Sequence, residues 1–414
     1  MKILYFSLID WDFIYQRPQH LAVRLSSEND FTYVQPFGLR NLRFSDIHRV
    51  FRRLQSLFKR LGVNPVRNFS EALNPALRGG VPYGAEPGII LKSNPAAEQR
   101  SIISNGVKRG LHIKNFFFIP IIAPSITKIN PFLLRYQINS HVDSETIIWV
   151  TYPSPLIPGI LEGMKYGALV YEMMDDYPNV HPRSEEDIRR MEAWFVDKAA
   201  LVITTSKALA EKVNRIKKGV RIRVIGNGVD YDFFNNASKV RPLEFKSLDK
   251  IIGYVGTISE WIDFNLVDYL ADKRPDLNFV FIGPIRAKRL PLKKNIHFIG
   301  TIDYEKVPAY CNGIDVCLIP FQRGEFADAI NPVKLYEYLA LGKPVVSYYM
   351  RELERYKDVI YLAGDKEDFL TNVEIALDEK DNRIRELRRD IARRNDWTMI
   401  SEVVSKELLK LVTP

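Results

Sequence analysis

The chain has 414 residues, 46% of them hydrophobic and 12% aromatic, which suffices for two domains of roughly 150–200 residues with separate cores. It contains no uncharged apolar run of about 20 residues and no signal-peptide pattern after Met1, so the sequence predicts a cytoplasmic protein that does not span a membrane. A net charge of +9 calls for an anionic partner, and the candidates are nucleic acid, anionic lipid headgroups and a phosphorylated substrate.

The first elements predict the opening of a Rossmann-like domain. A short apolar strand at residues 2–7 precedes a loop at 8–15 and a helix at about 18–27. No G-x-G-x-x-G follows the strand, which argues against a nicotinamide-dependent enzyme. The expected ligand there is the acceptor substrate, and its expected contacts are Trp11, Tyr15, Gln16 and Arg17. The alternative is a capped helix with an aromatic staple.

A basic segment follows the second predicted strand, residues 31–36. Residues 39–62 hold seven Arg or Lys against one acid, Asp46, and their apolar residues recur at three- and four-residue steps. Such a helix suits an anionic membrane surface; the alternative is a core-facing helix with a solvated basic side. Residues 64–100 are rich in Pro and Gly and predict an elaborated loop beside an acceptor site.

Two acids mark the end of a later strand. Strand-like runs occur at 116–122, 146–151 and 168–173, and the last is followed by Asp175 and Asp176. Adjacent acids at the carboxyl end of a buried strand predict a cleft in which one carboxylate positions or deprotonates an acceptor hydroxyl. The alternative is a helix cap and a loop acid.

Strands and helices continue to alternate, and this pattern predicts a second doubly wound sheet. The remaining strands of the first domain are expected at 201–205 and 223–225, and the domain boundary near 230–246. The strands of the second domain are expected at 250–256, 278–282, 297–299, 316–319 and 345–347. Cys311 and Cys317 lie in a predicted helix and strand without metal-ligand spacing, so we expect reduced packing residues and no metal site.

The segment from Asp328 to Ser347 has geometry fixed by local rules. Asn331 is the expected N-cap, Pro332 the first helical residue, and Gly342 the stop before a strand. The free amides of Val333 and Lys334, the helix dipole and the Lys334 ammonium would bind a diphosphate. Glu337, expected to be partly exposed, would accept hydrogen bonds from a ribose diol. The alternative is an amphipathic helix with a surface glutamate.

This segment resembles the donor-binding segment of retaining GT-B glycosyltransferases of family 4, where two glutamates lie eight positions apart. Glu337 matches the second, which grips the ribose of a nucleotide sugar in that family. The first falls on Ala329, with Asp328 as the substitute. The Trp-x4-Gln-Arg-Pro-Gln-His-Leu-Ala pattern from Trp11 also resembles a bacterial polysaccharide-assembly subgroup that includes teichuronic-acid glycosyltransferases.

The resemblance implies an α/β protein of GT-B type, with two facing Rossmann-like doubly wound domains and a cleft between them. Residues 1–235 would bind the acceptor and 236–396 the nucleotide sugar, while the last helix, within 397–414, packs back onto the first domain. Asp175 lies where the family commonly has a histidine of a His-Asp pair. Further donor-binding residues are implied at or near strand ends: Gly256, Thr257, Arg286, Ile302 and Arg323.

The combined interpretation is a metal-independent glycosyltransferase that uses a UDP- or GDP-linked sugar as substrate, without another cofactor. Its acceptor would be a growing, lipid-linked surface polysaccharide, and the family implies retention of configuration. Asp175, Asp176 and Asp328 are the candidate catalytic residues. The alternatives are a nucleotide-sugar epimerase or hydrolase of the same fold, and a non-catalytic protein that binds membranes or RNA. No nucleic-acid module is recognised.

The basic segment generates a test of membrane binding. Replacing Arg49, Arg52, Arg53 and Arg60 with Gln should abolish sedimentation with anionic vesicles, because each cation near the surface contributes about 1 kcal/mol. Transfer to a soluble acceptor should survive, since the donor site is expected in the other domain. Four Gln substitutions within residues 381–394, the other basic segment, serve as the control. Absent vesicle binding by the parent, or binding unaffected by the four changes, would contradict the membrane interpretation.

Overall fold

The computed structural model describes residues 1–12, 15–36, 110–116, 124–177, 185–236 and 240–412. The predicted basic segment at 39–62, the loop at 64–100 and all but the first residue of the strand predicted at 116–122 lie outside the described residues.

Seven described strands form the first sheet, and all neighbours in it pair in parallel in the order β3-β2-β1-β4-β5-β6-β7. Most of these strands are buried apolar runs, as a parallel sheet covered on both faces requires. The strands are β1 Lys2–Phe6, β2 Asp30–Val34, β3 Leu111–Lys114, β4 Ile147–Val150, β5 Ala168–Met173, β6 Leu201–Thr204 and β7 Ile222–Val224.

The helices of this half flank the sheet. The fifth starts where Ser206 accepts a hydrogen bond from the amide of Leu209, a typical N-cap. They are α1 Arg17–Leu25, α2 Pro124–Ile138, α3 Leu156–Leu161, α4 Glu185–Lys198, α5 Lys207–Ile216 and α6 Tyr231–Asn235.

Six further described strands form a second parallel sheet in the order β10-β9-β8-β11-β12-β13. The strands are β8 Ile251–Val255, β9 Asn278–Ile282, β10 Ile296–Gly300, β11 Val316–Ile319, β12 Val345–Tyr348 and β13 Tyr361–Ala363. The helices are α7 Phe264–Lys273, α8 Val307–Gly313, α9 Glu325–Ala329, α10 Val333–Ala340, α11 Lys366–Leu377 and α12 Asn382–Arg394. The predicted α/β architecture with two doubly wound sheets is confirmed.

The last helix, α13 Trp397–Val412, leaves the second sheet and packs on the first. Its buried residues Trp397, Ile400, Val404 and Leu408 share a hydrophobic cluster with residues of β1, β2 and β4. We propose that the boundary between the two domains lies between residues 235 and 236, in the segment that joins β7 to β8. No helix in the described ranges combines the length and hydropathy needed to cross a bilayer.

The packing of α13 predicts opposite outcomes for two adjacent leucines. Leu408 is fully buried in the cluster, whereas Leu409 is 45% exposed. Leu408→Ala should lower the free energy of unfolding by about 2–5 kcal/mol, because it removes buried methyl groups and leaves a cavity. Leu409→Ala, the matched control, should change it much less. Denaturant unfolding followed by tryptophan fluorescence measures both, and equal losses would contradict the packing of α13 on the first sheet.

Candidate active site

The carboxyl ends of strands in the two sheets meet at the domain interface. Ala329, at the end of α9, is buried in the same hydrophobic cluster as Met173 and Tyr177 of the first sheet. Beside it, the backbone amide of Lys207 donates to Glu352 Oε1 over 2.7 Å. The loop after β5 therefore lies next to the entry of the α9–α10 segment, where ligands of open α/β sheets bind.

The start of α10 differs from the sequence prediction by one residue. The helix begins at Val333, and Pro332 rather than Asn331 occupies the N-cap position, without a side-chain cap. Asn331 was the wrong N-cap, because its side chain bonds to Asn227 and Tyr336 and not to the first amides of the helix. Among the described residues, the amides of Val333 and Lys334 have no acceptor, so two donors remain at the positive end of the helix.

Asn331 instead joins the two halves of the chain. Its Oδ1 accepts a hydrogen bond from the Asn227 amide over 2.8 Å, and its backbone oxygen accepts one from Asn227 Nδ2 over 2.7 Å. Its side chain also bonds with the hydroxyl of Tyr336, over 3.2 Å. We call the pair of bonds between Asn227 and Asn331 the asparagine clasp. It fixes the start of α10 against the segment that follows β7.

Arg17 secures the same segment from the other side. Its Nε donates to Glu172 Oε1 over 2.7 Å, and its Nη1 donates to the Gly226 oxygen over 2.6 Å. Arg17 is 3% exposed and Glu172 is fully buried. The guanidinium is therefore part of the domain junction, and this placement does not support the acceptor contact expected for it.

The four residues expected to contact the acceptor separate in the structure. Trp11 is 8% exposed and its ring meets Tyr33 edge to face, with the centroids 5.0 Å apart, so it belongs to the core. Gln16 lies at the start of α1, where its amide donates to Gln19 Oε1, as the capped-helix alternative requires. Tyr15 is half-buried, and its ring centroid lies 6.2 Å from that of Tyr304 in the second half of the chain.

Glu337 and Lys334 form an ion pair one turn into α10. Lys334 Nζ lies 2.6 Å from Glu337 Oε2. Glu337 is 5% exposed, so the expectation of a partly exposed carboxylate was wrong: the carboxylate is covered and paired. Its Oε1 accepts no hydrogen bond from any residue that the structure describes. The arrangement combines one available carboxylate oxygen with a cation beside two helix amides.

Tyr304 is an aromatic residue that Glu337 influences electrostatically and that sequence reasoning did not single out. Its ring stacks on Phe233, with centroids 5.1 Å apart. Burial and the negative charge of Glu337 raise the pKa of Tyr304 well above its usual value, so its hydroxyl stays protonated. Tyr304 thus adds a neutral donor and an aromatic face to the cleft, beside Tyr15.

Asp175 and Asp176 follow β5 and are both partly covered. Asp176 Oδ1 lies 2.6 Å from the Lys212 ammonium of α5. Burial, followed by the charge of Asp176, raises the pKa of Asp175 to about 6. An aspartate with such a pKa is ionised at neutral pH and close to the range that suits proton transfer.

The remaining candidates lie in the second half of the chain, Asp328 in helix α9 and the others after strand ends. Asp328 Oδ1 accepts a hydrogen bond from the Arg351 amide over 3.1 Å, which holds it near the interface. Arg323 bonds the Gly364 oxygen and lies over the Tyr348 ring, so it is tied to the β12–β13 edge. Arg286 is exposed, and the others, Gly256, Thr257 and Ile302, are partly buried.

A cavity of about 210 Å³ lies between the loop after β4 and helix α4. Its lining combines proline rings and a methionine with the polar ends of Asp187 and Arg190. The described parts of the chain contain no cluster of three or more His, Cys, Asp or Glu that would hold a metal ion. Cys311 and Cys317 are buried free thiols, as predicted.

Sequence reasoning also missed Glu192 and Lys212, although each carries a signal. Glu192 lies between Ile188 and Phe195 on the buried face of α4, and Lys212 lies beside Leu209 and Val213 on that of α5. A charged residue within an apolar helical stripe indicates a buried partner.

Comparisons with known proteins identify similar sequences and folds. Residues 249–379 match the family model described as "Glycosyl transferases group 1". The Bacillus subtilis (strain 168) protein named "Putative teichuronic acid biosynthesis glycosyltransferase TuaH" is 26% identical over 303 residues. The match covers 67% of this chain and 76% of that protein.

Two solved structures share the fold over nearly the whole chain. HepE of Anabaena, solved with UDP and glucose, aligns with a TM-score of 0.63 and 16% identity over 99% of both chains. Sucrose-phosphate synthase from Thermosynechococcus elongatus aligns with a TM-score of 0.64 and 13% identity over 99% of this chain and 98% of that one. The chain has the GT-B fold and is a glycosyltransferase, which sets aside the non-catalytic alternative.

The asparagine clasp predicts energetic coupling between the two halves. Asn227→Ala and Asn331→Ala should each cost about 1–3 kcal/mol of stability, because each leaves buried backbone groups without a partner. Measured by urea unfolding, the double variant should lose less than the sum of the single losses, by about 0.5–3 kcal/mol. Asn372→Ala combined with Asn227→Ala is the control, because Asn372 bonds only within the second half of the chain. Additive losses for the clasp pair would contradict the coupling.

Proposed function

We propose that this GT-B glycosyltransferase moves a sugar from a UDP- or GDP-linked donor to a growing, lipid-linked surface polysaccharide, with retention of configuration. The observation that carries the proposal is the ion pair of Lys334 and Glu337 beside two available amides at the start of α10. A nucleoside diphosphate needs both features, since its phosphates are anionic and its ribose diol donates hydrogen bonds.

The donor would lie along α10 and its flanking turns. The amides of Val333 and Lys334 would bind the diphosphate, with the helix dipole adding to the Lys334 charge. Glu337 Oε1 would accept hydrogen bonds from the ribose. The aromatic face of Tyr304 and the turn at Ile302 would receive the base. HepE, solved with UDP and with UDP-glucose, favours UDP as the nucleotide to test first.

The diphosphate leaves with its negative charge facing these groups. Stabilisation by amides and a cation already in place lowers the barrier without reorganisation. Exposed Arg286 lies on the turn after β9 and would add positive charge to the entrance of the site. Arg323 is assigned a smaller part, because its guanidinium is already bonded to the edge of the second sheet.

The acceptor would enter from the first sheet. Asp175 and Asp176 lie between Met173 and Tyr177, which pack with Ala329 of the second half of the chain, and Tyr15 lies beside Tyr304. Asp328, one residue before buried Ala329, would contact the donor sugar where the two halves meet. The teichuronic acid assignment of the Bacillus relative favours an envelope polysaccharide as the acceptor, and the lipid link remains part of the proposal.

Calorimetric titration with UDP and UMP tests the donor site. Glu337→Ala should weaken both ligands by about 10- to 100-fold, because a hydrogen bond to a charged group contributes about 1.5–3 kcal/mol. Lys334→Ala should weaken UDP more than UMP, since its partner is the second phosphate. Glu325→Ala, at an exposed position on α9, is the control for both and should bind like the parent.

Thermal unfolding of the same variants separates binding from folding, since Glu337 is buried. Parental UDP affinity in a folded Glu337→Ala variant would remove Glu337 from the site. Equal losses for UDP and UMP in Lys334→Ala would remove Lys334 from the second phosphate. Rapid release of free sugar without an acceptor would instead favour the epimerase or hydrolase alternative.

A further inference from the structure

One of the two acids after β5, Asp176, belongs to a cluster of three charged residues. Lys212 Nζ contacts Asp176 Oδ1 at 2.6 Å and Glu192 Oε2 at 2.7 Å. The three residues come from different elements: α5, the loop after β5, and α4. Their side chains are 11%, 18% and 0% exposed for Lys212, Asp176 and Glu192 respectively. This geometry joins the acceptor side of the cleft to the two helices beneath it.

The cluster is not explained by stability. A buried ion pair gains little over apolar residues of the same size, because both charges lose their hydration. Here one ammonium faces two carboxylates, and burial raises the pKa of Glu192 despite the nearby cation. Such an arrangement fixes geometry and local charge at the expense of stability, which indicates a role at the neighbouring site.

Asp175 differs from its neighbour in its contacts. No side-chain hydrogen bond or ion pair of Asp175 occurs among the described residues, whereas Asp176 is fixed by Lys212. Tyr177 is directed elsewhere, since its hydroxyl donates to the Thr151 oxygen over 2.5 Å. The Asp175 carboxyl is therefore the one with unused hydrogen-bonding capacity.

We propose, on the basis of the proposed function, that Lys212 is a positioning residue which holds the Asp176 carboxylate in place and leaves Asp175 to receive the acceptor proton. In the transfer step the acceptor oxygen forms a bond to the anomeric carbon on the same face that the phosphate leaves, so the configuration is retained. The bond from that carbon to the phosphate oxygen breaks, and its electron pair leaves with the nucleoside diphosphate. The acceptor proton passes to the Asp175 carboxylate.

The surrounding charges decide how readily Asp175 takes that proton. Burial and the charge of Asp176 raise the pKa of Asp175. The other charged or titratable groups near this loop are Tyr177 next to it, Glu172 of β5 with its partner Arg17 of α1, Glu192 and Arg189 of α4, and Lys212 of α5. Lys212 is the buried cation in contact with Asp176, so it offsets the charge that disfavours ionisation of Asp175.

Carbon-13 NMR titration of aspartate-labelled protein tests this without any substrate. The Asp175 resonance is identified by its loss in Asp175→Asn. In Lys212→Met the pKa of Asp175 should rise from about 6 by about one unit or more, because Asp176 and Glu192 lose their counter-ion. Lys212→Arg should restore it. Glu192→Gln should shift it in the opposite direction, because one negative charge is removed, and this variant serves if Lys212→Met does not fold.

Slow turnover of UDP-glucose, with water as the acceptor, provides the kinetic readout, whereas rapid release of free sugar would count against the proposed function. In Lys212→Met the acid limb of the kcat/KM profile should move to higher pH, with a loss of about fivefold or more at pH 6 and little at pH 9. Asp175→Asn should lose about 10²–10⁴-fold in kcat, and Asp176→Asn less. A loss that is uniform with pH in Lys212→Met, an unshifted Asp175 resonance in both charge variants, or a larger loss for Asp176→Asn would overturn the inference.

The outcomes keep the two proposals separate. Unaltered titration of Asp175 with intact UDP binding would reject the role of Lys212 and leave the donor site standing. Absence of UDP and GDP binding by the parent would reject the proposed function, whatever the titration shows.

Discussion

The candidate active site depends on the hydrogen bonds that join Asn227 to Asn331. The proposed donor helix α10 belongs to the second sheet, whereas the candidate acceptor residues follow strands of the first, so neither half alone holds all the candidate residues. The clasp fixes the first residues of α10 against the segment after β7, and Arg17 holds that segment to Glu172 of β5. A short series of hydrogen bonds therefore connects the start of α10 to β5, the strand that precedes Asp175 and Asp176.

Charge is distributed differently on the two sides of the cleft. On the donor side a cation, helix amides and a carboxylate suit a nucleoside diphosphate. On the proposed acceptor side acids outnumber the buried cation, and burial together with the charge of Asp176 raises the pKa of Asp175. Buried ion pairs of this kind contribute more to defined geometry than to stability. The Glu192–Lys212–Asp176 cluster and the Arg17–Glu172 pair both lie beneath the cleft, where such definition matters.

Sequence reasoning recovered the elements well because their signals are local. Buried parallel strands such as 168–173 and 316–319 are continuous apolar runs, and Ser206 and Gly342 mark helix ends by local rules. The roles of Asn331, Trp11 and Arg17 were not recoverable, since each depends on a partner remote in sequence. The side chain of Asn331 does not cap α10, because it accepts a hydrogen bond from Asn227, 104 residues away in the sequence. Burial of Glu337 likewise follows from tertiary packing, whereas its spacing from Lys334 is a local feature.

A crystal structure of the complex with UDP tests the central claim most directly. The account predicts the ribose hydroxyls within about 3 Å of Glu337, and phosphate oxygens at the amides of Val333 and Lys334. It also predicts that the bonds between Asn227 and Asn331 persist in the complex. A nucleotide bound elsewhere, or bound with its ribose away from Glu337, would contradict it.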